Sequence, residues 1–193
     1  MPNLKKGKML SSTKFRTPEF RMSYPHLFEP HGFEDEKPSH SVTALFPQSA
    51  NLKCFEKAVQ AVIDEKLNGK RSKKIKIAEV KDGDDMETKE GEPRPETQGK
   101  MVVRLQSKNR KPRVFDSSRE TIDNPEEIYG GCFGVAVVEA YLWKNSFGIG
   151  ISFGLLGVQK TRDGEPFLGG VDVDDFEDVD VDEDEDDLED GQF

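Results

Sequence analysis

The stretch that decides the fold is "CFGVAVVEAYLW" (132–143), followed after Lys144, Asn145 and Ser146 by "FGIGISFGLLGVQ" (147–159). Both halves are rich in β-branched and aromatic residues, and the short polar break between them reads as the turn of one long β-hairpin. Glycines recur inside the runs, at Gly134, Gly148, Gly150, Gly154 and Gly157. Glycine weakens a flat strand, but it suits a sheet that bends sharply or admits another group close to its backbone. The hairpin therefore predicts a curled sheet.

Upstream, "TKFRTPEFRMSY" (13–24) reads as a strand interrupted by Pro18, and "HSVTALFP" (40–47) as a second strand. In "ANLKCFEKAVQAVIDEKLNG" (50–69), Leu52, Phe55, Val59, Val62, Ile63 and Leu67 recur at intervals of three and four. That spacing predicts an amphipathic helix packed on the sheet, with Gly69 as its stop. "GKRSKKIKI" (69–77) is a strand or a positive loop, "KMVVRLQS" (100–107) is a strand, and "TRDGEPF" (161–167) carries an Asp-Gly turn. Five or more strands, one helix and no βαβ alternation predict a mostly β fold, a small curled antiparallel barrel with one packed α-helix. Two segments are expected to lie outside it. Residues 1–12 read as a flexible basic arm, and 80–99, with one Val and one Met as sizeable apolar residues, reads as a disordered acidic insertion.

The net charge of −10 conceals an asymmetry. Of 38 acidic residues, fourteen lie from Val171 onward with no Lys or Arg among them, leaving 28 basic against 24 acidic residues in the body. A basic body joined to an acidic tail is what the function must explain. Cys54 and Cys132 show no CxxC spacing, and no run approaches the ~20 apolar residues of a membrane span. The expectation is an intracellular protein with reduced thiols, no membrane segment, no metal and no cofactor. His26, His31 and His40 share one region, but no catalytic or phosphate-loop signature appears, so no enzyme is expected.

Basic residues instead cluster near aromatics. The candidate nucleic-acid contacts are Arg21 and Tyr24; Lys73 and Lys74; Arg104, Lys108, Arg110, Lys111 and Arg113; and Tyr141, Trp143, Lys144 and Phe147 around the hairpin turn. Cations track phosphates, and exposed rings stack on unpaired bases at ~1–3 kcal/mol per base whatever the sequence. Trp143, the single tryptophan, is expected at the hairpin tip as a stacking ring rather than a core residue.

"SYPHLFEP" (23–30), "PEEIYGGCFGVAVVEAYLWKN" (125–145) and "GIGISFGLLGVQKTRDGEPFLGG" (148–170) resemble the single-stranded DNA-binding proteins of tailed bacteriophages. The resemblance spans about residues 13–170 and implies an OB-fold domain over that range. It also implies a protein of the host cytoplasm that coats single-stranded DNA without sequence preference in replication or recombination. The commonest OB order places the helix after the third strand, whereas here it follows the second. Either residues 13–28 hold two strands or the barrel is a variant.

The segment 171–193 reads as a disordered acidic tail closing on Phe193. A flexible chain of that length spans roughly 25–29 Å, enough to reach its own body's binding face. The expectation is a tail that competes with DNA for the body's cations, with Phe193 as the hook for replication or recombination proteins. The alternative is an acidic adaptor or chaperone that binds basic proteins rather than DNA.

Overall fold

The computed structural model describes residues 4–32 and 36–167. The acidic tail, Phe193 included, lies outside the described residues. The strands are β1 (Lys8–Met9), β2 (Lys14–Arg16), β3 (Phe20–His31), β4 (Ser39–Pro47), β5 (Ile75–Ile77), β6 (Lys81–Asp82), β7 (Lys100–Ser107), β8 (Arg113–Phe115), β9 (Phe133–Asn145) and β10 (Gly148–Arg162). Among the described residues one α-helix, α1 (Lys53–Lys66), stands between β4 and β5.

Strand pairing closes a ring. β9 pairs β3, β3 pairs β4, β4 pairs β7, β7 meets β10, and β10 returns to β9. All of these pairings are antiparallel except β7 with β10, which touch at the single register pair Gln106 and Gly154. Five strands closed this way form the Greek-key barrel of an OB-fold. β5 and β8 lie parallel to β10 on either side of its contact with β7, so little of that edge is left unpaired.

The helix indeed follows the second barrel strand. The stretch 13–28 does hold two strands, but β2 and β3 pair successive parts of one edge of β9, at Val137–Glu139 and at Phe133–Gly134, so together they take a single place in the ring. The barrel is thus a variant in its helix position. α1 buries Cys54, Phe55, Ala58, Val59, Val62 and Ile63, and Gly69 closes it with φ 73° and its N–H on the Ile63 carbonyl. Phe55 plugs the barrel, with ring centres 4.8 Å from Phe15, 5.0 Å from Phe153 and 5.9 Å from Phe46. Such edge-to-face rings add ~0.5–1.5 kcal/mol per pair beyond the area they bury.

Two expectations need correction. From Leu4 onward the basic arm is fastened: Leu4 accepts from the Glu19 N–H at 2.7 Å, and Lys8 and Met9 pair Arg16 and Phe15. The edge of β2 needs a backbone partner, and Met9 packs on the core. The segment 80–99 is likewise held against the barrel, because polar groups do what its composition could not. β6 pairs β7, the buried Thr97 hydroxyl donates to the Gly83 carbonyl at 2.8 Å, and Asp84 accepts from the Gly99 N–H at 2.7 Å. Counting apolar residues misses a segment whose carboxylates cap its own turns.

Candidate nucleic-acid interface

The hairpin places its aromatics by alternation. Val138 and Ala140 of β9 point into the barrel, so Glu139, Tyr141 and Trp143 point out. Opposite Trp143 sits Gly150, and opposite Tyr141 sits Ser152. The indole lies flat over Gly150: a Cβ there would fall 2.3 Å from the Trp143 Cζ2. Its Nε1–H donates to the Ser152 Oγ at 2.9 Å, which fixes the ring's rotation. Tyr141 leans over Gly154 in the same way and remains 39% exposed. Two rings therefore lie along the outer surface of the hairpin with their far faces toward solvent. At the turn, Phe147 is 83% exposed, an orientation that burial cannot explain.

Cations border these rings. Lys76 of β5 is in register with Gly150, beside Trp143, and is exposed while Ile75 and Ile77 turn inward. Lys73 and Lys74, also exposed, enter β5 next to the hairpin turn. Register carries the same outer face across the barrel, from Gly154 to Gln106, Ser41 and His26. Arg104, two residues back on β7 and opposite Thr43, is exposed on that face and ion-paired at 3.9 Å with Glu36 of the β3–β4 loop. The far end is bordered by the exposed Lys108, Arg110 and Lys111, with the Lys111 Nζ 5.4 Å from the Phe28 ring centre.

Tyr24 stands out from β3 at a break in its register with β4, 64% exposed and at φ 44°. A left-handed tyrosine is strained, and strain of ~1–3 kcal/mol held at a bulge turns a ring outward that a regular strand would lay down.

The outer face of the second and third barrel strands, bounded by the first loop and the last hairpin turn, is where OB-folds take oligonucleotides and oligosaccharides. A different chemistry lacks parts. Burial pushes the Cys54 thiol up to about 11 and raises that of Cys132, so neither supplies a thiolate. Among the described residues no three His, Cys, Asp or Glu stand where they would hold a metal ion.

A family model described as the Enterobacter phage Enc34 ssDNA-binding protein matches residues 13–188. The chain belongs to that family. The structure of the single-stranded DNA-binding protein from bacteriophage Enc34 is 29% identical, covers 91% of this chain and 96% of its own, and superposes with a TM-score of 0.69. The Enc34 protein in complex with ssDNA superposes at 0.70, with 29% identity over 87% of this chain and 97% of that one. Protein p50 of Acyrthosiphon pisum secondary endosymbiont phage 1 is 28% identical over 180 residues, 89% of this chain and 97% of p50.

Within this Enc34-family barrel the residues singled out from sequence divide. Tyr24, Lys73, Lys74, Arg104, Lys108, Arg110, Lys111, Tyr141, Trp143 and Phe147 border the one outer face just described. Arg113 sits further along, its guanidinium 5.1 Å from the ring centre of Phe115 on β8. Lys144 is exposed but pairs Ile149, so alternation sends it off the opposite side of the hairpin from Trp143. Arg21 lies at the other end of the hairpin and is occupied. It donates to the Gly131 and Glu165 carbonyls and its guanidinium lies 4.2 Å from the Phe167 ring centre, tying down the segment after β10. Lys76, His26 and His31 were not among the candidates. The alternation of Lys74, Ile75, Lys76 and Ile77 carries the signal for Lys76; for the histidines only the pairing of β3 with β4 reveals the position.

Proposed function

We propose that this protein binds single-stranded DNA without sequence preference, across the outer face that runs from the β9–β10 hairpin over β7 and β4 to the β3–β4 loop. The observation that carries the reading is the pair of rings, Tyr141 and Trp143, laid over Gly154 and Gly150 with Lys76 and Arg104 on the same face. Bases of any sequence present a flat face to such rings, and the cations follow the backbone. Strand alternation spaces the two rings about 6.6 Å apart along β9, at ~3.3 Å per residue, enough for an unstacked base on each. Membership of the Enc34 family supports the same reading, since the Enc34 protein is one that binds ssDNA.

The role is proposed to be protection of single strands during phage DNA replication or recombination in the host cytoplasm. The fourteen acidic residues of 171–193 compete with DNA for this face, and Phe193 recruits replication or recombination proteins.

Phosphate contacts release counterions, so affinity for oligothymidylate should fall as salt rises, with a log–log slope of about −0.7 per phosphate contacted. Five contacts give a slope near −3.5. Titration across a range of salt concentrations tests this. A flat response, or equal affinity for a duplex of the same length, would rule out a groove built for single strands.

A further inference from the structure

The His26 and His31 rings stack at 4.3 Å between centres, 17° from parallel, at the outer end of β3. His26 is in register with Ser41 of β4, which in turn pairs Gln106 of β7, so it lies on the proposed DNA path and not behind it. The charged groups that act on it are His31 on its own strand and Arg104 on β7, the latter carrying its ion pair to Glu36. β4 contributes the uncharged Ser41 and β7 the uncharged Gln106. Among the described residues no carboxylate is one of the groups that shift the His26 imidazole, and Glu36 is ion-paired with Arg104. Accordingly its imidazole is held below the ordinary histidine value, first by burial, then by His31 and Arg104. The two stacked rings stand where a phosphate is expected.

We propose that His26 and His31 contact the bound strand as a proton-linked pair, taking up a proton from solvent when a phosphodiester settles beside them. The only bond formed is N–H on an imidazole, and the buffer gives up the proton. A phosphate favours the imidazolium, so the site's proton affinity is higher in the complex than in the free protein. Binding is therefore tighter on the acid side, and this gain is lost as pH rises through the value in the complex. Each unit of difference between the free and bound values is worth tenfold in affinity. The chain has only three histidines, and both thiols are raised, so few other groups titrate in the window.

This inference rests on the proposed binding face. It is tested on the full chain with labelled oligothymidylate, measuring anisotropy from pH 6 to pH 8 at fixed ionic strength. Affinity should rise by close to tenfold toward pH 6, and the rise should vanish in His26→Gln/His31→Gln while persisting in His40→Gln. Calorimetry of the unmodified protein at pH 7, in two buffers of different ionisation enthalpy, should show proton uptake on binding, independently of how the variants fold. A flat pH profile with the expected salt slope, or uptake near zero, overturns the histidine assignment and leaves the face intact. A pH response retained in the double variant overturns it equally. Absence of binding at every pH overturns both.

Discussion

At the scale of single residues, the site depends on what is missing as much as on what is present. Trp143 lies flat because residue 150 has no side chain, and Gly150→Ala would place a carbon 2.3 Å from the indole and 2.6 Å from the Lys76 carbonyl. The ring has to lift or β5 has to part from β10. The expected result is a shift in Trp143 emission with loss of its bond to Ser152, and a fall in oligothymidylate affinity of about 5- to 150-fold, the value of one stacked base. Emission and affinity both unchanged would mean that the flat ring is not what the strand uses. Aromatic and cationic residue types made this face legible in sequence, because stacking and phosphate contact each require a recognisable side chain. Their direction was less so. Arg21 and Lys144 have the right chemistry, yet the first is bound to the Gly131 and Glu165 carbonyls and the second leaves on the other side of the hairpin. The sequence period of two reads which residues alternate, but it takes the strand pairing to say which surface they meet.

At the scale of elements, the long hairpin and the helix were readable because each carries many apolar residues in one period. β9 and β10 run from Phe133 to Asn145 and from Gly148 to Arg162, and the turn falls one residue later than the Lys144–Ser146 break suggests. The shift follows from glycine: Gly148 adopts φ 132° at the strand start, so the polar residues before it remain in the ladder. Most short elements were not readable. β1, β6 and β8 have two or three residues each, too few for any period, and they exist because a longer strand offers an open edge; the alternation around β5 allowed a strand or a positive loop. The segment 80–99 belongs with them: its order comes from Asp82, Asp84 and Thr97 accepting or donating at turns, not from burial of apolar side chains. These same short elements matter for function, since β5 delivers Lys73, Lys74 and Lys76 to the hairpin turn.

At the scale of the whole molecule, charge divides the protein in two. Removing residues 171–193 changes the net charge from −10 to +4, and the proposed competition between tail and DNA is electrostatic. The truncated protein should therefore bind oligothymidylate more tightly than the full chain at low salt, with the gap closing toward 0.15 M as the screening length falls to ~8 Å. Deleting Phe193 alone leaves all fourteen charges and should leave DNA affinity unchanged while weakening capture of a phage replication protein. A gap that persists at high salt would place the competition in apolar contacts instead. The body's basic excess is small, so binding must come from where its cations and rings are gathered, not from overall attraction. The central claim is that single-stranded DNA lies on the hairpin's outer face, and the single tryptophan reports on it directly. The measurement is Trp143 fluorescence of the full chain during titration with oligothymidylate, with anisotropy of the labelled strand followed in parallel. The account predicts quenching that saturates at the same strand concentration as the anisotropy. Binding seen by anisotropy with Trp143 emission unchanged would put the DNA elsewhere on the barrel and contradict it.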